Sequence, residues 1–243
     1  MKYRIAKILL LFLLVLASAC TSSFIGIQKL YPPDDLVVDG HSEWSGRYYK
    51  ERIEVFKNDP LNKGEIVFLG NSITEQGGDW SLRLGIENVR NRGIAADLTN
   101  GVLERLGEIC HAKPKAVFLL IGINDIYNWH HGRGNPPPPP KHVGNNILKI
   151  AEKIHKGTPK TKIYVQTVLP TDFEPVKEAI LTVNSMIRSH EATGHYHVID
   201  LYPEFTDSLG LIRPELTKDG VHLTDEGYAI WVKMLESVIS DEL

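Results

Sequence analysis

Cysteine is scarce in this chain, basic residues are not in excess, and no apolar run is long. Two cysteines in 243 residues cannot supply the disulfide framework of a small secreted scaffold, so a packed core must stabilise the chain. With 27 Lys and Arg against 30 Asp and Glu, the net charge of −3 excludes the basic surface of a bulk nucleic-acid binder. The longest apolar run, residues 8–17, is about half as long as the ~20 residues that a membrane-spanning helix needs. The composition therefore predicts one globular domain.

Motifs for nucleotides and metals are also missing. The chain has neither a Gly-Lys-Ser/Thr phosphate loop nor a Gly-x-Gly-x-x-Gly fingerprint, which excludes the commonest nucleotide sites. The histidines at 130–131 and at 195 and 197 have no cysteine or paired carboxylate at ligand spacing. The Gly-x-Ser-x-Gly elbow of the larger α/β-hydrolases is absent as well. We therefore expect no cofactor, no metal and no nucleic-acid partner.

The first twenty residues have the pattern of an export signal. Basic residues precede the apolar run and small residues follow it, as in a secretory signal peptide. Leu-Ala-Ser-Ala-Cys, ending at Cys20, resembles a bacterial lipobox, in which the cysteine becomes lipid-modified. We predict a lipoprotein-type signal peptide over 1–19, a tether and lead-in over 20–44, and one domain over 45–243. The protein is then exported and anchored to the membrane of a bacterial envelope through Cys20 only; the alternative is an ordinary signal and a periplasmic or secreted protein.

Short apolar runs alternate with helical periodicity along the rest of the chain. Four runs are typical of buried parallel strands and a fifth is weaker; in that order they are 65–69, 116–121, 162–168, 196–200 and 88–91. Apolar residues recur at three- and four-residue steps between them, which indicates helices. A further helix is predicted over Ser45–Lys57. Strands that alternate with helices predict an α/β fold, here a three-layer α/β/α sandwich with a five-stranded parallel sheet of flavodoxin-like topology.

Candidate catalytic residues follow the strands, at the edge where open parallel sheets bind ligands. Ser72 follows one strand on a turn that opens a helix, and Gly93 and Asn124 follow two others. Asp219 and His222 lie in one loop before the last helix. A serine nucleophile needs an adjacent base that a carboxylate orients, and Ser72, His222 and Asp219 fit these roles. The amides of Ser72 and Gly93 and the side chain of Asn124 are predicted to form the oxyanion hole.

These residues resemble the four sequence blocks of the SGNH hydrolases, the superfamily of GDSL esterases and lipases. The blocks occur in order as Gly-Asn-Ser-Ile-Thr around Ser72, Asn-Arg-Gly-Ile around Gly93, Gly-Ile-Asn-Asp around Asn124 and Asp-Gly-Val-His-Leu around His222. The family usually has Asp where this chain has Asn71, a side chain that the catalytic relay does not use. The resemblance implies an SGNH hydrolase fold over the domain and a serine esterase that works without a cofactor.

The blocks look most like those of acetylhydrolases and sialate O-acetylesterases, which implies a short-chain, acetyl-selective esterase acting on a carbohydrate such as acetylated sialic acid. The segment after Asn124 is polar and aromatic, and five prolines follow at 136–140. We predict that Trp129 and Arg133 in this segment contact a small-molecule or glycan ester. A lysophospholipase or thioesterase of the same fold is one alternative, and an inactive glycan-binding surface lipoprotein is another. The sequence leaves the oligomeric state open.

Overall fold

Five parallel strands form the centre of the molecule. The computed structural model describes residues 30–242, and its strands form a sheet in the order β2-β1-β3-β4-β5. The strands are β1 (Ile66–Gly70), β2 (Val89–Gly93), β3 (Ala116–Leu120), β4 (Lys162–Gln166) and β5 (His197–Ile199). Every neighbouring pair is parallel. The predicted five-stranded parallel sheet is therefore confirmed.

Helices cover the sheet and complete a three-layer α/β/α sandwich. The α-helices are α1 (Glu43–Asn58), α2 (Ser72–Glu75), α3 (Trp80–Leu84), α4 (Thr99–Glu104), α5 (Leu106–Ala112), α6 (Ile123–His130), α7 (Pro140–Gly157), α8 (Lys177–Ser189), α9 (Tyr202–Phe205) and α10 (Asp225–Glu242). Short 3₁₀ helices lie at Glu174–Val176, Glu191–Thr193 and Pro214–Leu216. In one layer α7 packs with α4, α5 and α8, and in the other α10 packs with α3. Across residues 30–242, no helix combines the length and the hydropathy that a membrane crossing would need.

Aromatic rings in register tie the sheet to one helical layer. Strand pairing places Phe68 of β1 beside Phe118 of β3, and Phe118 beside Tyr164 of β4. Their ring centroids are 4.9 and 4.8 Å apart. Trp80 of α3 stacks on Phe68 at 4.0 Å, and Trp231 of α10 meets Trp80 at 4.8 Å in a T-shaped contact. Each such pair adds about 0.5–1.5 kcal/mol to the burial of apolar surface, so this ladder holds the strand ends that carry the site.

Several predicted boundaries shift by one or two residues, and two of these shifts have a local cause. Helix α1 begins at Glu43 rather than at Ser45, because the Ser42 hydroxyl caps the helix by accepting the Ser45 N–H at 3.1 Å. Strand β2 continues to Gly93 rather than ending at Asn91, since it pairs with β1 over its whole length. The weakest of the five predicted strands is therefore as long as its neighbour.

The described part of the lead-in packs onto the rest of the molecule. Tyr31 and Val38 are buried in a second small core with Tyr49, Phe56 and Ile94, and partners from α1 surround them. The Tyr31 hydroxyl donates to the Phe56 carbonyl oxygen at 3.0 Å. The lead-in from residue 31 onward is thus part of the packed structure. The predicted signal peptide over 1–19 and Cys20 lie outside the described residues.

The five prolines separate α6 from α7. Pro136 to Pro139 lie outside helices and strands, as predicted, but Pro140 is the first residue of α7. A proline is accepted at that position because the N–H groups of a first helical turn have no intrahelical acceptor. The stiff segment therefore ends by starting a helix.

Candidate active site

Ser72 is the first residue of α2, directly after β1. Asn71 caps this helix, since its Oδ1 accepts the Ile73 N–H at 3.0 Å. The Ser72 N–H donates to no acceptor within residues 30–242, because the helix begins at this residue. The turn is tight: a Cβ on Gly70 would lie 2.3 Å from the Thr74 hydroxyl oxygen in α2. The turn therefore presents a hydroxyl and an unused backbone donor on one residue.

The loop before α10 brings His222 to this serine. His222 Nε2 lies 2.9 Å from Ser72 Oγ, although 150 residues separate the two. His222 Nδ1 lies 2.7 Å from Asp219 Oδ2. Asp219 Oδ1 also accepts the backbone N–H groups of Val221 at 3.0 Å and of His222 at 2.8 Å, so the short spacing fixes the carboxylate. The three side chains predicted to act together form one continuous hydrogen-bonded chain.

Gly220 allows this loop to turn between the carboxylate and the imidazole. Its φ of 89° lies in the left-handed region, where a side chain is unfavourable. A Cβ at this position would lie 2.0 Å from Asp172 Oδ1. The Asp172 N–H donates to the Gly220 carbonyl oxygen at 3.1 Å, which holds the loop against the segment after β4. Glycine is therefore required here for both reasons.

The carboxylate and the imidazole are partly solvated. The side chains of Asp219 and His222 are 53% and 27% exposed, whereas Ser72 is buried. Burial alone would raise the pKa of Asp219, but hydrogen bonds from the backbone and ring of His222 and from the Val221 N–H outweigh it, so the pKa is lowered. An ionised Asp219 favours a proton on Nδ1 of the ring. The Nε2 atom is then able to accept the proton of the Ser72 hydroxyl.

Asn124 lies in the first turn of α6, after Gly122. Its side-chain NH₂ donates to the Asp97 carbonyl oxygen at 3.0 Å, and an amide nitrogen of this kind carries a second hydrogen. Asp97 is fully buried and accepts Nε and Nη2 of Arg105 at 3.0 and 2.9 Å on its Oδ2 atom. Arg105 also donates to the Gly70 carbonyl oxygen at 2.9 Å. One buried cation thus connects the support of Asn124 to the end of β1.

Asp125, next in the chain to Asn124, is a second buried carboxylate. It accepts the Thr99 hydroxyl at 2.6 Å and the Thr99 N–H at 3.0 Å. Burial raises the pKa of the Asp125 carboxyl to about 7; the hydrogen bonds from Thr99 oppose this shift and the charge of Asp97 adds to it. The Asn146 amide donates to the Thr99 hydroxyl at 3.0 Å. Helix α6, which carries Asn124, is thus fixed to neighbouring helices by buried hydrogen bonds.

Gly93 is explained by packing rather than by its predicted role. Its N–H already donates to Asn91 Oδ1 at 2.9 Å, so the structure does not support Gly93 as an oxyanion donor. A Cβ on Gly93 would lie 2.2 Å from the Glu75 backbone nitrogen. The glycine therefore lets β2 approach α2, the helix that begins at Ser72.

Ala96 supplies a backbone donor that the motifs did not reveal. Its φ is 58°, in a region that alanine rarely adopts, and its N–H donates to no acceptor in the described part of the chain. It lines the same cavity as Asn124. No residue type marks such a position in a sequence, so only the backbone conformation identifies it.

A cavity of ≈ 620 Å³ lies beside Asn124 and Ala96. The polar side chains around it include Asp39, His41, Ser42, Tyr127, Asn128 and Arg133. Arg133 therefore lies at a cavity beside a predicted site residue, whereas Trp129 does not line this cavity and is exposed. Four of the five prolines line a smaller adjoining cavity of ≈ 200 Å³. Within residues 30–242, no three His, Cys, Asp or Glu side chains are grouped as they would be around a metal ion.

Comparison with known proteins places this geometry in a family. A sequence model of the GDSL-like lipase/acylhydrolase family matches residues 68–230. The chain is 28% identical over 211 residues to platelet-activating factor acetylhydrolase IB subunit alpha1 from Pongo abelii, an alignment that covers 83% of this chain and 85% of that protein. The matched region contains the predicted serine, asparagine, aspartate and histidine.

Solved structures share the fold. A GDSL-like lipase from Bacteroides thetaiotaomicron superposes with a TM-score of 0.65 at 24% identity, over 82% of this chain and 98% of that one. A variant of an acetyl-xylooligosaccharide esterase from Geobacillus superposes with a TM-score of 0.60 at 18% identity, over 75% and 97% of the two chains. Because the family match covers more than half of the sequence, the chain belongs to the GDSL-like lipase/acylhydrolase family of the SGNH hydrolase superfamily and is a carboxylic ester hydrolase.

Proposed function

We propose that the protein is a serine esterase that removes short acyl groups, above all acetyl, from a carbohydrate. The 2.9 Å contact between Ser72 Oγ and His222 Nε2, continued by the 2.7 Å contact to Asp219, is the observation that carries the catalytic assignment. Ser72 Oγ attacks the ester carbonyl carbon while His222 Nε2 takes the hydroxyl proton. His222 then gives that proton to the leaving alcohol, and acetyl-Ser72 remains. Water then attacks this ester while His222 takes one of its protons. His222 returns that proton to Ser72 Oγ as the bond to the acetyl group breaks and acetate leaves.

The oxyanion of each tetrahedral intermediate needs donors that are already in place. Three candidates are the Ser72 N–H, the Ala96 N–H and the Asn124 side-chain amide. The two backbone groups donate to no acceptor within residues 30–242, and Asn124 keeps its second amide hydrogen. Gly93 is left out of this proposal, because its N–H is bonded to Asn91.

The cavity beside Asn124 favours a sugar rather than a lipid as the alcohol component of the ester. Its lining is rich in hydroxyl, amide and charged groups, which suit a sugar. Arg133 has no carboxylate partner in the described part of the chain, so its guanidinium is available for an acid such as that of sialic acid. The structural likeness to an acetyl-xylooligosaccharide esterase agrees with an acetylated carbohydrate.

A chain-length series tests the acyl preference. We expect kcat/KM for p-nitrophenyl esters to be highest at acetate and to fall towards decanoate, and acetate to be released from acetylated sialic acid or acetylated xylan. A kcat/KM that rises beyond butyrate would instead favour a lipase-like enzyme of the same fold. The similarity to a platelet-activating factor acetylhydrolase subunit favours a second candidate, an acetyl ester on a lipid. An acetylated lipid added to the same panel tests it, since acetate release faster from the lipid than from the sugars would favour this candidate.

Arg133 gives a test of the alcohol side. Arg133→Gln removes the charge and keeps a polar side chain. We expect it to raise KM for acetylated sialic acid about tenfold, because a hydrogen bond to a charged group is lost. Neutral acetylated xylooligosaccharides serve as the matched control, and their KM should stay within about twofold. An equal change in KM for both substrates would show that Arg133 does not recognise a carboxylate.

We also propose that the protein is exported and anchored through a lipid on Cys20. The basic start, the apolar run and the small residues before Cys20 support this proposal. A Cys20→Ser variant expressed in a bacterium should lose both its lipid label and its membrane association. Equal partition of the variant and the wild type would leave an ordinary signal peptide as the better interpretation.

A further inference from the structure

Two residues of the lead-in contact Asp97 and helix α6 on either side of Asn124. Gly40 and His41 precede α1 and lie outside the family match over 68–230. His41 faces Asp97, whose carbonyl oxygen accepts the Asn124 amide. Gly40 accepts a hydrogen bond from Asn128, which lies on the same helix as Asn124. A segment outside the family blocks thus reaches both the acceptor of the Asn124 amide and the helix that carries Asn124.

The His41 contact is buried and specific. Nε2 of the ring lies 3.5 Å from Asp97 Oδ1, and the two side chains are 4% and 0% exposed. Nε2 thus faces a carboxylate, a group that only accepts hydrogen bonds. The Tyr49 ring packs against the imidazole with centroids 5.4 Å apart. Neither ring nitrogen makes a hydrogen bond within residues 30–242, and the Asp97 carboxylate is the ionic group that Nε2 faces.

The Gly40 contact joins the lead-in to helix α6. The Asn128 side-chain amide donates to the Gly40 carbonyl oxygen at 3.0 Å. Gly40 has a φ of 89°, and a Cβ there would lie 2.9 Å from Leu98 Cδ1. The backbone therefore turns sharply at this residue and places His41 against Asp97. One dipeptide bridges the loop after β2 and helix α6.

We propose that Gly40 and His41 position Asn124 for catalysis, with His41 acting through Asp97. This inference rests on the proposed role of Asn124 as an oxyanion donor. A donor stabilises a developing charge only if its direction is set in advance, and small misplacements at an active site are costly in rate. Arg105 holds Asp97 through Oδ2, and the Leu98 N–H donates to Oδ1 at 2.9 Å. The His41 ring faces the same Oδ1 atom at 3.5 Å. The carboxylate is thus constrained on both oxygens, and the carbonyl that orients Asn124 is constrained with it.

A matched pair of amide variants tests this role. His41→Gln places an N–H group about as far out as Nε2, whereas His41→Asn ends near the position of Nδ1 and cannot reach Asp97. For p-nitrophenyl acetate we expect His41→Asn to lower kcat about tenfold with KM within about twofold, and His41→Gln to stay within about twofold of wild type. Tyr31→Phe removes a hydrogen bond in the same second core, far from the proposed chemistry. It controls for lost stability and should leave kcat unchanged.

A double-mutant cycle separates this inference from the proposed function. If His41 acts through Asn124, His41→Asn should change kcat little in an Asn124→Ala background, so the two effects are not additive. Additive losses, a KM effect alone, or equal behaviour of the Gln and Asn variants would overturn the positioning role. If Asn124→Ala itself retains wild-type kcat, the oxyanion assignment fails instead. A Tyr31→Phe variant as slow as His41→Asn would reduce the effect to general stability.

Discussion

The proposed site has two halves in opposite environments. The relay half is Ser72, His222 and Asp219. The donor half is Asn124 with the buried carboxylates Asp97 and Asp125. In the relay half, Asp219 is 53% exposed and its pKa is lowered by hydrogen bonds within its own loop. In the donor half, Asp97 and Asp125 are buried, and burial raises the pKa of Asp125 to about 7. Carboxylates therefore serve two purposes in one site. One orients a base that must change charge, and the others fix the backbone around Asn124.

This difference separates catalysis from stability. Solvated groups of the relay half can be removed with little cost to folding, since water replaces their partners. Buried charges of the donor half cannot, because removing one partner leaves the other unpaired in the interior. Substitutions in the first half should therefore abolish turnover in a stable protein. Substitutions in the second should unfold the protein or misplace a donor.

The largest expected effect is on turnover in the relay half. Ser72→Ala and His222→Ala should each lower kcat by about 10⁴ or more, as in other serine triads. Because His222 is partly exposed, the melting temperature of the variants should stay close to that of the wild type. Stopped assays with p-nitrophenyl acetate and a thermal melt of the same preparations measure both quantities. A large drop in melting temperature in either variant would contradict the distinction between the two halves.

The second prediction compares two aspartates. Asp97→Ala leaves the buried Arg105 guanidinium without its carboxylate, so we expect a loss of about 3–5 kcal/mol in the free energy of unfolding. Asp219→Ala should cost less than about 1 kcal/mol, because its pair with His222 is exposed. Urea unfolding of both variants under one set of conditions gives the values. Similar losses for the two would contradict the division of the site.

The third prediction concerns the donor itself. Asn124→Ala should lower kcat by about 10²–10³ and leave KM nearly unchanged, because the amide is most useful once charge develops on the substrate oxygen. Steady-state kinetics on p-nitrophenyl acetate provide both parameters. If KM rises while kcat holds, Asn124 binds the substrate in its ground state and does not stabilise the oxyanion.

A smaller effect is expected on the pH dependence of stability. The folded-state pKa of Asp125, about 7, is above its unfolded value of about 3.9, so the native state binds the extra proton between these values. This stabilisation is complete below the unfolded pKa and is lost as the pH rises towards 7, by about 2 kcal/mol between pH 5 and pH 7. Asp125→Asn should flatten that slope in urea unfolding. Parallel slopes for the two proteins would show that Asp125 does not titrate in this range.

The two halves also differ in how far the sequence predicts them. The strands could be predicted because buried parallel strands are continuous apolar runs. Asp219 and His222 could be predicted as a pair because they are three residues apart in one loop. This short separation brings the carboxylate within 2.7 Å of the ring. Local spacing determines the geometry of this pair.

The donor half depends on contacts that no local pattern encodes. Gly93 has the residue type of a backbone donor, but its N–H is bonded to Asn91, and Ala96 has the unused N–H without a distinctive residue type. His41 meets Asp97 only when the lead-in folds back onto the loop after β2. Tertiary structure decides these roles. A motif therefore locates the segment correctly and can still miss the residue.

The nucleophile is the central claim, and a fluorophosphonate probe tests it most directly. Such a probe reacts with an activated serine hydroxyl, and Ser72 Oγ lies 2.9 Å from an imidazole that the Asp219 carboxylate orients. We expect one modified peptide, the one that contains Ser72, and no labelling of Ser72→Ala. Labelling of a different residue in the wild type, or undiminished labelling of Ser72→Ala, would contradict the assignment of Ser72 as the nucleophile.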